Sequence, residues 1–214
     1  SVVSANTAET ETLPGEVETD WLVKNLGRPD IKLLDMRPQP EYNGGHIPGS
    51  LSLNIESLRG CVGGIPSTLL PASLLAEHFS LLGLRPEDVL VIVWGDKMQD
   101  ATLVGMACER LGHSRYAVLR GGFAKWLSEK RPLDTALPPV VPSRYPVPAK
   151  ADGFTFEAKD VLTAVGMPGT VILDVRPPDF FTGKKRDEAR GGHIPGAVNR
   201  ACSEDMAKGE ALST

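Results

Sequence analysis

The hexapeptide Gly-Gly-His-Ile-Pro-Gly occurs twice in this chain, at residues 44–49 and again at residues 191–196. Paired glycines cost backbone entropy and proline removes an amide donor, so such a stretch belongs neither in a helix nor in a sheet ladder. It must be a loop, and its surroundings repeat with it. IKLLDMRPQPEYNGGHIPGSLSLNI starts at Ile31 and TVILDVRPPDFFTGKKRDEARGGHIPGAVN starts at Thr170. Both run apolar stretch, Asp-x-Arg-Pro, aromatic residue, loop, hexapeptide and second apolar stretch. His46 lies eleven residues after Asp35, and His193 nineteen after Asp174; the extra eight fall in the charged run GKKRDEAR, where a surface loop tolerates insertion. Matched order with one difference in loop length marks a duplicated unit.

Around the first copy the apolar pattern alternates between strand and helix. Residues 31–34 and 170–173 read as buried strands, each preceded by a helical pattern, at 18–26 and 157–165. Residues 73–82 are helical in period, VLVIVW at 89–94 is a continuous apolar strand, and 101–111 is a helix ending at Gly112, a usual place for a C-cap. A strand at 115–119 and a short helix at 122–130, halted by Pro132, complete the series. The pattern predicts an α/β fold of two similar domains, each a mostly parallel sheet flanked by helices on both faces. We place a polar tail at 1–15, domain one at 16–134, a connector at 135–152 and domain two at 153–214. Prolines at 138, 139, 142, 146 and 148 make the connector extended and semi-rigid. Domain one runs 88 residues past its His46 and domain two 21 past His193, so about 67 residues are expected to be missing from the second sheet. Half a parallel sheet leaves open edges and an uncovered apolar face, and that segment is the partner we expect, covalent or nicked.

Composition narrows the partners. With 41% hydrophobic and 23% charged residues the chain is ordinary for a globular protein. A net charge of −4, with Lys and Arg dispersed, leaves no basic footprint for nucleic acid. No apolar run approaches the roughly 20 residues of a membrane helix, and the first residues lack the basic and apolar regions of a signal peptide. Cys61, Cys108 and Cys202 are odd in number and share no CxxC-type spacing, which argues against a disulfide framework or zinc site and for a reducing, cytoplasmic compartment. No metal, nucleotide or flavin motif is present.

LLDMRPQPEYNGGHIPGS resembles the first signature of the rhodanese family, YAVLRGGFAKWL from Tyr116 resembles its second, and VILDVRPPDFFTG…GGHIPGAVN repeats the first. The resemblance covers nearly the whole chain from about Gly15, and its tandem form is similar to the two-domain sulfurtransferases that act on thiosulfate or 3-mercaptopyruvate. It implies a cysteine nucleophile at the C-terminal end of the fourth strand, heading a loop of inward-pointing amides. The thiolate takes the outer sulfur of a small anionic sulfur compound as a persulfide and passes it to cyanide or a thiol; loop amides and a helix N-terminus stabilise the anions. No dissociable cofactor is implied.

Against that pattern, VLVIVW is followed by GDKMQDAT, so Gly95, or Asp96, stands where the nucleophile would be. Domain one is therefore no sulfurtransferase by itself. The resemblance makes its loop one wall of a pocket at the domain interface, with Asp96, Lys97 and Asp100 as wall residues; the plainer alternative is solvated loop charges. In domain two the segment that should hold the cysteine lies past Thr214, so no catalytic residue is expected within the chain. Cys108 reads as packed on a helix, Cys61 as an ordinary loop thiol, and Cys202 follows the hexapeptide rather than a fourth strand. Asp35, Arg37, His46 and His193 are read as loop-bracing residues joined by charge-assisted hydrogen bonds. Asp174 and Arg176 are placed in the pocket of the expected active copy, where anionic substrates give an Arg a purpose. Thiosulfate-handling members carry a second Arg four residues after the first; Glu41 and Phe180 stand there instead, and Lys184, Lys185, Arg186 and Arg190 offer compensating charge. Two alternatives remain: a catalytically silent binding or regulatory module, and phosphatase or arsenate reductase chemistry, which needs a cysteine loop about one residue longer.

Overall fold

The computed structural model describes residues 15–150, 155–187, 189–207 and 211–212, and the chain divides into two units between Asp152 and Gly153. Most of the polar tail therefore lies outside the described residues.

Unit 1 runs β1 (Glu16–Val17), α1 (Thr19–Asn25), β2 (Ile31–Asp35), α2 (Gln39–Gly44), β3 (Leu51–Ser52), β4 (Arg59–Val62), β5 (Ile65–Leu69), α3 (Ala72–Leu81), β6 (Val89–Val93), α4 (Gln99–Leu111), β7 (Tyr116–Leu119) and α5 (Gly122–Ser128). Five strands form one sheet in the order β1-β7-β6-β2-β3, and every neighbouring pair is parallel. Side chains alternate across a strand, so Val89, Val91 and Val93 of β6 face one way and join Leu22 of α1 with Phe123 and Trp126 of α5 in a single buried cluster. Leu90 and Ile92 point to the other face and are equally buried; α4 packs on β6 and β7, and α3 on α4. Helices thus cover both faces.

Unit 2 runs α6 (Ala158–Ala164), β8 (Leu173–Asp174), α7 (Pro178–Phe181), β9 (Val198–Asn199), β10 (Met206–Ala207) and β11 (Ala211–Leu212). The strand expected at 170–173 is shorter and later than its counterpart, and the ladder explains why. β2 is held along its length, Ile31 to Asp35, by β6, but meets β3 only at Leu34 and Asp35. β8 meets β9 at the two equivalent residues, Leu173 and Asp174. Among the described residues nothing plays the part of β6, so only the end of the strand is laddered.

Helix boundaries moved for local reasons. α4 starts two residues earlier than its apolar period, at Gln99, because Asp100 is stabilised in a first turn by the helix dipole. Gly112 then closes the helix in the left-handed region, with φ of +68°, as its position predicted. The hairpin β4–β5 was not foreseen. Its turn is Gly63-Gly64, both at positive φ, a glycine pair between Val62 and Ile65 that is itself a hairpin signal. Among the described residues no helix is long and apolar enough to cross a membrane.

Candidate functional site

The frame of the site is built by the repeated motif. Asp35 ends β2 fully buried. Its carboxylate accepts from the Arg37 backbone N–H at 3.0 Å, from Nε at 3.0 Å and from Nη2 at 2.8 Å. Nη2 also donates to the Gly45 carbonyl at 2.8 Å, which ties the strand end to the hexapeptide. The guanidinium lies 3.3 Å over the Phe123 ring, a cation–π contact that holds its plane. His46 stacks on Tyr42 with centroids 4.0 Å apart. Its Nδ1 sits 2.9 Å from the Tyr42 carbonyl and its Nε2 3.2 Å from that of Ala136, while its backbone exchanges hydrogen bonds with Asp134. Tyr42 in turn donates its hydroxyl to the Ser50 carbonyl at 2.6 Å.

Unit 2 repeats the Asp–Arg–carbonyl bonds and the aromatic–histidine stack of this arrangement. Asp174 accepts from the Arg176 N–H and Nε at 3.0 Å each and from Nη2 at 2.5 Å, and Nη2 reaches the Gly192 carbonyl at 2.7 Å. His193 stacks on Phe181 at 3.7 Å, with Nδ1 2.8 Å from the Phe181 carbonyl. The insertion between aromatic and histidine leaves both the stacking and the Nδ1 contact in place. Bidentate Arg–carboxylate pairs of this kind are geometrically demanding, which is why Asp, Arg, aromatic and His recur as a set. The hydrogen bonds from Arg176 hold the Asp174 carboxyl below the usual carboxylate range.

The two frames differ in surroundings. The Arg37 side chain is 5% exposed and that of Arg176 46%. Asp174, Arg176, Arg190 and His193 line a hollow of about 620 Å³ in unit 2. In unit 1, Asp96, Lys97 and Asp100 do come together: with Arg37, Asn54 and Trp94 they line a hollow of about 570 Å³ at the C-terminal ends of β2 and β6. Gly95 opens that loop, and a larger residue there would require the Arg37 side chain to shift. A Cβ there would stand 2.9 Å from Cγ of Arg37, so the residue that braces the loop also fills the space a nucleophile would need. The bracing residues Asp35 and His46 are buried, and His193 lies on the exposed side of unit 2.

None of the three cysteines stands in the loop directly after β6. Cys108 is buried in α4, where desolvation pushes its thiol pKa far above the ordinary value. Cys61 is exposed on β4 rather than in a loop, and Cys202 is exposed at a single turn of 3₁₀ helix after β9. Among the described residues no group of three or more His, Cys, Asp or Glu is placed to hold a metal ion. Two parts of the site were missed in the sequence. Phe123 under Arg37 stands in the quoted LRGGFAKWL, and the offset from Asp35 gave no hint of it. The Tyr42 and Phe181 rings were visible as the recurring aromatic, without their stacking role.

Comparison with known proteins agrees with this frame. The profile of the rhodanese-like domain matches residues 18–129. A thiosulfate sulfurtransferase of Azotobacter vinelandii is 32% identical over 202 residues, covering 94% of this chain and 74% of the relative. A 3-mercaptopyruvate sulfurtransferase of Escherichia coli is 26% identical over 211 residues, covering 92% and 75%. The crystal structure of SseA from Escherichia coli, described as a rhodanese fold, superposes with a TM-score of 0.81 at 27% identity, over 94% of this chain and 80% of that one. The chain spans 60% of the length of a Synechococcus elongatus relative and 64% of one from Corynebacterium glutamicum.

Proposed function

The chain belongs to the family of rhodanese-like domains, and from that premise we propose that it is part of a sulfurtransferase that moves a sulfane sulfur from thiosulfate or 3-mercaptopyruvate to cyanide or a thiol. The observation that carries this reading is the duplicated Asp–Arg–His frame, buried in unit 1 and half-open in unit 2. A thiolate attacks the outer sulfur of thiosulfate; the S–S bond breaks, sulfite leaves with its electron pair, and a cysteine persulfide forms. The acceptor attacks the terminal sulfur and the thiolate is regenerated. The cysteine is supplied by a polypeptide segment outside these 214 residues. Arg176 is fixed by Asp174 through Nε and Nη2 and lends its charge to the anionic donor, with Arg190 beside it. Asp96, Lys97 and Asp100 line a separate hollow within unit 1. Sulfur transfer of this type needs no metal or dissociable cofactor.

The exposure of unit 2 supports a covering segment of about 67 residues, as the two copies imply. Leu173, Val198 and Ile194 are 52%, 55% and 42% exposed, whereas their counterparts Leu34, Leu51 and Ile47 are buried beneath the rest of unit 1. Three unpaired cysteines suit a reducing compartment such as the cytoplasm.

The test is mass spectrometry of the whole gene product after incubation with thiosulfate. Gain of one sulfur atom, removed by cyanide and located on a cysteine outside the 214 residues, is the expected result. If no cysteine of the whole product takes up sulfur, a silent binding module is the better reading, which the occlusion of Gly95 by Arg37 already favours for unit 1 taken alone.

A further inference from the structure

Beyond α5 the proline-rich stretch makes no regular element, yet it is fastened to α3 and the turn that follows it. Ser143 donates its backbone N–H to the Ser80 carbonyl at 2.8 Å, and Tyr145 donates its own to Ser80 Oγ at 2.8 Å. Gly83 lets the proline-rich stretch approach, since a Cβ there would lie 2.6 Å from the Val141 carbonyl oxygen. The Tyr145 ring is buried edge-on against Phe79, centroids 5.2 Å apart. At its tip the hydroxyl meets Nδ1 of His113 at 2.6 Å.

From this geometry we propose that His113 and Tyr145 form a pH-gated latch, which fastens residues 137–145 to α3 near neutrality and releases them in mild acid. The protonation state follows from the partners. His113 Nε2 faces the Arg115 carbonyl at 3.2 Å, which can only accept, so Nε2 carries the proton and Nδ1 accepts from the tyrosine. Adding a proton at Nδ1 forces Tyr145 to stop donating, and among the described residues its hydroxyl has no second partner. The new charge would also sit on a side chain that is 2% exposed. The groups facing the pair are few: Asp88 and Glu87 in the turn before β6, Cys108 at the end of α4, and Arg115 before β7. Desolvation lowers the His113 pKa below the ordinary 6.5, against the weaker pull of the Arg115 backbone and of Asp88. Asp88 is itself raised by burial.

The sign is fixed by linkage. A histidine whose pKa is depressed when latched keeps the latch at full strength above the released value of about 6.5. Below it, the latch weakens by up to about tenfold per pH unit until the latched pKa is reached.

Hydrogen exchange of the full chain, corrected for intrinsic rates, reads this directly in the amides of Ser143 and Tyr145. Between pH 7.5 and pH 5.5 their protection should fall, by up to about tenfold, while β6 stays protected. His113→Asn keeps an acceptor and cannot titrate, so its protection should not change with pH. Tyr145→Phe keeps the ring and loses the hydroxyl, so protection should be low at both pH values. Unchanged protection in the wild type, or a wild-type pH response in His113→Asn, would overturn the latch.

Discussion

Arg37 and Arg176 make the same bonds in different surroundings, and their substitutions should differ accordingly. Arg37→Met leaves Asp35 as a buried unpaired charge and should cost about 3–5 kcal/mol in urea unfolding. Arg176→Met removes a half-exposed pair, so the urea midpoint should not move, while sulfur uptake by the whole protein should drop. Ser50 offers the opposite case. Its hydroxyl is buried without a partner among the described residues, and the second copy carries Ala197 at the same place. Ser50→Ala should therefore stabilise the chain by about 1 kcal/mol; a loss of that size in urea unfolding would mean the hydroxyl is satisfied after all.

At the scale of elements, the strands and helices that touch their sequence neighbours were legible and the long-range partners were not. Asp35, Arg37 and His46 announced a braced loop because the same set recurs with one variable spacing. That His46 is also braced by Asp134 and Ala136 has no local signature; the partner lies 90 residues away. The hairpin β4–β5 was overlooked because Gly60, Cys61 and Pro66 interrupt its alternation, although Gly63-Gly64 marked the turn. Arg110 of α4 holds its end through the Leu69 and Leu70 carbonyls, at 2.8 and 2.9 Å. Placing Cys61 on that hairpin has a consequence for alkylation. In the native chain Cys61 and Cys202 should be modified by iodoacetamide within minutes, and Cys108 only after unfolding. Peptide mass mapping that finds Cys108 labelled in the native state would contradict its packing in α4.

Across the whole chain, one unit encloses its own core and the other shows its apolar residues to solvent. The α/β class, the parallel order and the duplication could all be read from the sequence, since they rest on period and repetition. The occlusion of Gly95 could not, because it depends on where Arg37 Cγ lies in space. The family frame is present twice in these 214 residues, and the central claim of the proposed function is that its sulfur chemistry depends on a cysteine elsewhere. The most direct measurement is thiocyanate release from thiosulfate and cyanide, with the 214-residue chain and the whole gene product side by side. The account predicts turnover by the whole product alone. Thiocyanate formed by the 214-residue chain, and abolished by Cys61→Ser or Cys202→Ser, would contradict it.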